Sequence, residues 1–118
     1  MYEYNCIIKR IVDGDTVDVD IDLGFDCWLH NQRIRISGID APETRTRDLT
    51  EKAAGLESKA FVERVLPLES KQVLVCKEYS STGKYGRILG TFKLYDGTKD
   101  AWSDLSTIML EQGYADVY

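Results

Sequence analysis

The stretch Thr16-Val17-Asp18-Val19-Asp20-Ile21-Asp22-Leu23 alternates without a break between polar and apolar residues. A period of two puts Val17, Val19, Ile21 and Leu23 on one face of a strand and Thr16, Asp18, Asp20 and Asp22 on the other. The apolar face belongs in a core. The aspartates are read as a solvated face, and Gly24 ends the strand. Asp18-x-Asp20-x-Asp22 also resembles the start of an EF-hand loop. However, Gly24 falls one place too late, and Leu29 would stand at position twelve, where a bidentate glutamate belongs.

Working outward, Cys6-Ile7-Ile8 and Ile11-Val12 predict an earlier strand that ends at the turn Asp13-Gly14. Trp28 to Ile39 predicts a third, with Ile34 and Ile36 facing away from Arg33 and Arg35. Glu51 to Leu66 predicts a helix, because Ala54, Phe61, Val62, Val65 and Leu66 share one arc at 100° per residue. Pro67 stops it. Gln72 to Glu78 is apolar on both sides, as in a well-buried strand, and Arg87 to Leu94 predicts another before the turn Asp96-Gly97. A last helix is expected from Ser106 to Gln112, with Ser106 as cap, Leu105 and Leu110 as a staple and Gly113 as its C-terminal stop. Three strands, a helix, two strands and a helix make a mainly β protein of the α+β class. They fit a five-stranded Greek-key OB-fold barrel with two or three helices, although an open α+β sheet has the same order.

The 118 residues are 43% hydrophobic and 30% charged, which suits one globular domain over residues 1–118. No apolar stretch approaches the ~20 residues of a membrane span. Met1 to Asn5 carries no basic region followed by an apolar core, so a cytoplasmic location is expected. A phage-borne role, or an export signal outside the sequence given, are the alternatives. A monomer is expected, with no membrane partner. Cys6, Cys27 and Cys76 are scattered and His30 is the only histidine, which argues against structural zinc and against Ser-His or Cys-His catalysis. The cysteines are read as buried free thiols.

A net charge of -5 argues against holding nucleic acid by a basic surface alone. Yet Arg33, Arg35, Arg45, Arg47, Lys52, Lys84 and Arg87 form a basic subset that would attract phosphate if gathered on one side. Ile39-Asp40-Ala41-Pro42-Glu43-Thr44 is the chemically telling run, with two carboxylates three residues apart around a proline. Asp15 and Asp40 each sit at the end of a predicted strand and could share a hard cation, helped by the Ala41 carbonyl and waters. Calcium suits such a set, and magnesium is the alternative. Glu43 could orient a water or take its proton, and Arg35 with Arg87 could neutralise a phosphorane-like transition state. Bland readings remain: Asp15 as a turn residue, Asp40 and Glu43 as acidic groups leading into a helix, Arg35 as a solvated charge, Lys84-Tyr85-Gly86 as a polar turn.

Asp13-Gly14-Asp15-Thr16, Arg35 with Asp40-Ala41-Pro42-Glu43-Thr44, Lys84-Tyr85-Gly86-Arg87 and Gln112-Gly113-Tyr114-Ala115 together resemble the staphylococcal nuclease (thermonuclease) family. That resemblance runs from about Ile11 to Tyr118 and implies an OB-fold, calcium-dependent nuclease of DNA and RNA. Such an enzyme breaks the 5′ P–O bond and leaves 3′-phosphates. It implies Asp15 and Asp40 as calcium carboxylates, the Ala41 carbonyl as a further ligand, and Glu43 as general base or water-positioning group. Arg35 and Arg87 resemble the catalytic arginines, Lys84 and Tyr85 groups near the terminal phosphate, and Tyr118 stands near the family's base-stacking tyrosine. Ala41 replaces the threonine of the best-known member, which matters little to a backbone ligand. The rival expectation is a non-catalytic barrel of the same family that binds nucleic acid or protein.

Overall fold

The computed structural model describes residues 2–80 and 87–118, apart from the side chains of Tyr79, Ser80 and Arg87. Ten elements follow one another: β1 (Tyr2–Asp13), β2 (Thr16–Asp22), β3 (Trp28–Ile36), β4 (Ile39–Asp40), α1 (Leu49–Val65), β5 (Lys71–Ser80), β6 (Arg87–Asp96), β7 (Ala101–Asp104), α2 (Leu105–Glu111) and β8 (Asp116–Val117). The main sheet runs β3-β2-β1-β5-β6-β7, and β3 also pairs with β6. That last pairing, the one parallel pairing among the described residues, closes five strands into a barrel. The closed five-stranded barrel with two helices is the expected OB-type α+β fold. One apolar cluster fills it, with Ile8, Val17, Val19, Ile34, Leu74 and Phe92 all fully buried. Among the described residues no helix is long and apolar enough to cross a membrane.

Several local expectations are corrected. Asp20 is not on a solvated face: it is only 7% exposed. The β2–β3 register shifts between Val19 and Ile21, and this bulge breaks the alternation. Asn31, at φ 56°, then donates its backbone N–H to Asp20 Oδ1 at 2.9 Å. The strand expected from Trp28 to Ile39 stops at Ile36, because Gly38 turns the chain in the left-handed region at φ 80°. Its tail becomes β4, which pairs with β8 near the end of the chain. Helix α1 starts two residues earlier than expected, where Asp48 accepts from the N–H groups of Thr50 and Glu51. Its buried face is Gly55, Ser58, Phe61 and Val62, whereas Ala54 is exposed.

Asp104, not Ser106, caps α2 by accepting from Thr107 N at 2.8 Å. The Ser106 hydroxyl instead donates to the Ser37 carbonyl at 2.8 Å. Gly113 does lie just past the helix end at φ 78°. Strand β5 is less buried than expected, with Leu74 alone fully enclosed among its described side chains. Of the three thiols only Cys6 is buried; Cys27 is exposed and Cys76 half-buried. Burial pushes the Cys6 thiol up to about 12, against a weaker opposing hydrogen bond from the Gln72 backbone.

Candidate active site

The site grows from the β2–β3 ladder. Thr16 lies opposite Arg35, and Ile36 N donates to the Asp15 carbonyl at 2.8 Å. The Asp13–Thr16 turn and the arginine are therefore fixed side by side by backbone bonds. Asp15 is 8% exposed. Its Oδ1 accepts from the Thr16 hydroxyl at 2.9 Å and its Oδ2 from Ala41 N at 3.0 Å. The second bond ties the Asp15 turn to the chain just after β4. A buried carboxylate held by two donors keeps a fixed orientation.

Arg35 is held as firmly. Its Nη1 donates to the Ile36 and Ile39 carbonyls, both at 3.0 Å. Its Nη2 then lies 3.6 Å from Asp15 Oδ2 and 3.5 Å from Asp40 Oδ1. One nitrogen thus bridges the two carboxylates singled out in the sequence. Neither contact is a short, well-directed ion pair. The Asp40 side chain is largely exposed, so one carboxylate of the pair faces solvent and the other the protein.

The segment carrying Glu43 is pinned from two sides. The Thr44 hydroxyl donates to Asp13 Oδ1 at 2.7 Å. From below, α1 approaches through Gly55, where a Cβ would stand 2.5 Å from the Glu43 carbonyl oxygen and 2.9 Å from that of Pro42. Gly14 is used the same way: a Cβ there would collide with the Ser58 hydroxyl and stand 3.1 Å from the Ala41 Cβ. Two close-approach glycines therefore let the Asp13–Thr16 turn, the 41–44 segment and α1 meet. The Glu43 residue itself is exposed beside this junction. The Ser58 hydroxyl is buried and finds no partner among the described residues.

A third wall comes from the C-terminal segment. Phe61 of α1 stacks on Tyr114 with ring centroids 4.4 Å apart. Beyond it β8 pairs with β4, Asp40 opposite Asp116, and Tyr118 N donates to the Gly38 carbonyl at 3.2 Å. The Arg35 guanidinium sits over the Tyr118 ring at 5.5 Å, a cation–π arrangement. Between them opens a cavity of about 270 Å³ that also touches Ser37, Glu78 and Leu89.

Asp15, Arg35, Asp40 and Ala41 thus converge. Arg87 begins β6, and Leu89, two residues later, lies opposite Arg35 in the parallel β3–β6 pairing. The Arg87 main chain is accordingly on the strand next to Arg35, while its side chain lies outside the described residues, as do Lys84 and Tyr85 altogether. Of the wider basic subset, Arg33 is taken up by Asp18. Sequence reasoning did not find the Thr44–Asp13 bond, the Gly55 contact or the Leu89 wall. The glycine inside a predicted helix was the available signal for the second. The donors are all oxygens, which suits calcium or magnesium. Among the described residues no three His, Cys, Asp or Glu side chains cluster to hold a metal, so a cation here would rely on two carboxylates, backbone oxygen and water.

The family model for staphylococcal nuclease homologues matches residues 33–118. The chain belongs to the staphylococcal nuclease family. It is 31% identical over 90 residues to the thermonuclease of Staphylococcus intermedius, covering 76% of this chain and 49% of that protein. It is 30% identical over 122 residues to endonuclease YhcR of Bacillus subtilis, covering 98% of this chain and 9% of that protein. Micrococcal nuclease of Shigella flexneri is 29% identical over 114 residues, with 94% and 56% covered. The family chain described above therefore spans little more than half the length of these relatives at most.

Proposed function

We propose that this family member is a calcium-dependent nuclease of low sequence specificity. It hydrolyses phosphodiester bonds in DNA and RNA at the 5′ P–O bond and leaves 3′-phosphate ends. The observation that carries the reading is the shared guanidinium nitrogen of Arg35 between Asp15 and Asp40. It means that two oxygen donors and a phosphate-binding group converge on one small volume.

Asp15, Asp40 and the Ala41 carbonyl would hold the cation. When bound, it supplies positive charge that lowers the barrier to attack on phosphorus. Arg35 would turn its Nη2 edge to the scissile phosphate while Nη1 stays anchored on the Ile36 and Ile39 carbonyls. Anchoring half of the fork keeps the other half oriented for a developing negative charge. Arg87, on the adjoining strand, would take a second oxygen of the same phosphate, with Lys84 and Tyr85 at the terminal phosphate. Glu43 would orient the attacking water and accept its proton. The hydroxyl so formed bonds to phosphorus, the 5′ oxygen leaves and a proton returns to it. A base of the substrate would pack against Tyr118 and Leu89. Since no element among the described residues is built to enter a groove and read base edges, selectivity would come from strand accessibility.

A calcium titration on single- and double-stranded DNA and RNA tests this. Single-stranded DNA should be cut with calcium and spared with EDTA. Calcium without cleavage from neutral to alkaline pH would sink the proposal. Glu43→Gln should bind substrate while losing on the order of a hundredfold or more in rate. Unchanged cleavage by both Glu43→Gln and Arg87→Ala would mean that the site is wrongly assigned.

A further inference from the structure

A second, larger cavity of about 580 Å³ opens at the mouth of the barrel. Its wall is apolar and aromatic, with Tyr2, Tyr4, Leu29 and Ile88, and Lys77 and Glu78 stand at its polar side. Tyr2 is 74% exposed and Leu29 39%. The Tyr2 and Tyr4 rings lie 6.4 Å apart. None of the catalytic steps above uses these residues. The volume falls within the range of small-ligand sites, and barrel mouths are a usual place for them.

Continuity identifies the occupant. Glu78 lines both this cavity and the one beside Arg35. In the sheet Glu78 pairs with Leu89, and Leu89 pairs with Arg35, so the shared wall at Glu78 lies two strands from Arg35, ~10 Å at ordinary strand spacing. A nucleic-acid substrate is a polymer and must pass over the surface next to the scissile phosphate. Along β2, beyond the paired Asp18, it would meet the partly exposed carboxylate of Asp22, which repels a polyanion. Toward the mouth it meets tyrosine rings, with Lys77 beside the Glu78 carboxylate to offset its charge. Exposed aromatic rings of that kind hold unpaired bases by stacking, whatever their sequence.

We propose that the barrel mouth is a second base-holding subsite for single-stranded nucleic acid, where a nucleotide beyond the two that flank the scissile bond stacks on Tyr2 and Tyr4. The idea rests on the nuclease reading and adds a second base contact, outside the reacting groups. Duplex bases, being stacked inside, cannot enter the mouth.

The test is an NMR titration of the Glu43→Gln protein in calcium with an oligothymidylate decamer, a thymidine dinucleotide and a duplex decamer. The single-stranded decamer should shift Tyr2, Tyr4 and Leu29 together with Leu89; the dinucleotide and the duplex should leave Tyr2 and Tyr4 unmoved. Tyr2→Ala should weaken decamer binding about fivefold or more, spare the dinucleotide, and be rescued by Tyr2→Phe. A decamer that leaves the mouth unmoved, or Tyr2→Ala weakening both ligands alike or neither, overturns the subsite. So does broadening of mouth signals with protein concentration alone, which would assign the groove to a second copy. If Glu43→Gln still cleaves, the catalytic assignment fails separately, and the shifts are read in EDTA.

Discussion

The β2–β3 ladder carries two aspartate–arginine clusters a few residues apart, and they are built to opposite ends. Arg33 lies directly across from Asp18 and grips it with two hydrogen bonds, at 2.9 and 3.2 Å. The Asp18 hydrogen bond, opposed by modest desolvation, holds the Arg33 guanidinium above its ordinary range. Arg35 is anchored on backbone carbonyls and reaches Asp15 and Asp40 only at 3.6 and 3.5 Å. The first cluster is closed on itself: Arg33 spends Nε and one Nη2 hydrogen on a single carboxylate, and each charge is compensated by the other. The second has its orientation fixed by groups other than its charges, so the charges stay available. A preorganised site needs that separation between what holds a group and what the group acts on.

Removing the two arginines breaks the comparison most sharply. Arg35→Ala should lower kcat/KM about a hundredfold or more, the scale of losing one oriented donor at a developing charge. Arg33→Ala should stay within about twofold in kcat/KM, with a stability loss of up to about 1 kcal/mol, as for a partly exposed ion pair. Steady-state kinetics on single-stranded DNA and urea melts of both variants decide it. Equal kinetic losses would mean that the saturated pair also serves the reaction, and the contrast would collapse.

The next largest effect concerns what positions Glu43. Alanine at Gly55 gains about 1 kcal/mol of helix propensity. Its Cβ, however, would stand 2.5 Å from the Glu43 carbonyl oxygen, which is backbone and cannot swing aside. Either the helix or the 41–44 segment must move, at a cost of about 1–3 kcal/mol. Gly55→Ala should therefore lower both Tm and kcat, the latter about tenfold or more, since small misplacements near reacting groups are expensive. Gly97→Ala is the control: nothing lies within 4 Å of its Cβ, and both quantities should hold.

The barrel was legible because it is written in short-range pattern. The alternation from Thr16 to Leu23, the turns Asp13-Gly14 and Asp96-Gly97, and Pro67 each act over a few residues. What stayed hidden depends on contacts between distant segments. Asp20 obeys the alternation in sequence, but the bulge beside it and the left-handed Asn31 bury it. Strand β8 is two residues long and exists only because Gly38 bends β4 toward it. The candidate site residues could be named because their order resembles that of the family. The Thr44 bond to Asp13 and the Gly55 contact carry no signature of their own, since a threonine or a helix glycine acquires meaning only from what it touches.

The smallest expected effect tests whether buried Asp20, on β2 beside the Arg33–Asp18 pair, is structural. Burial alone would raise the Asp20 pKa. The Asn31 N–H, His30 Nδ1 at 3.0 Å and Lys9 at 3.9 Å outweigh it and lower it below its ordinary 3.8. A carboxylate depressed in the folded state contributes stability above its unfolded pKa and loses it as pH falls through the folded one. Asp20→Asn should therefore be less stable than the parent at neutral pH, and its stability should fall less steeply below about pH 4. Urea midpoints from pH 7 down to pH 2 trace the two curves, which should draw together at the acid end. Catalysis at neutral pH should not change, because among the described residues Asp20 bonds to Asn31, His30 and Lys9, away from Arg35 and Asp15. Parallel curves across that range would mean that Asp20 is not held ionised by these partners, and its carboxylate would then have no structural role.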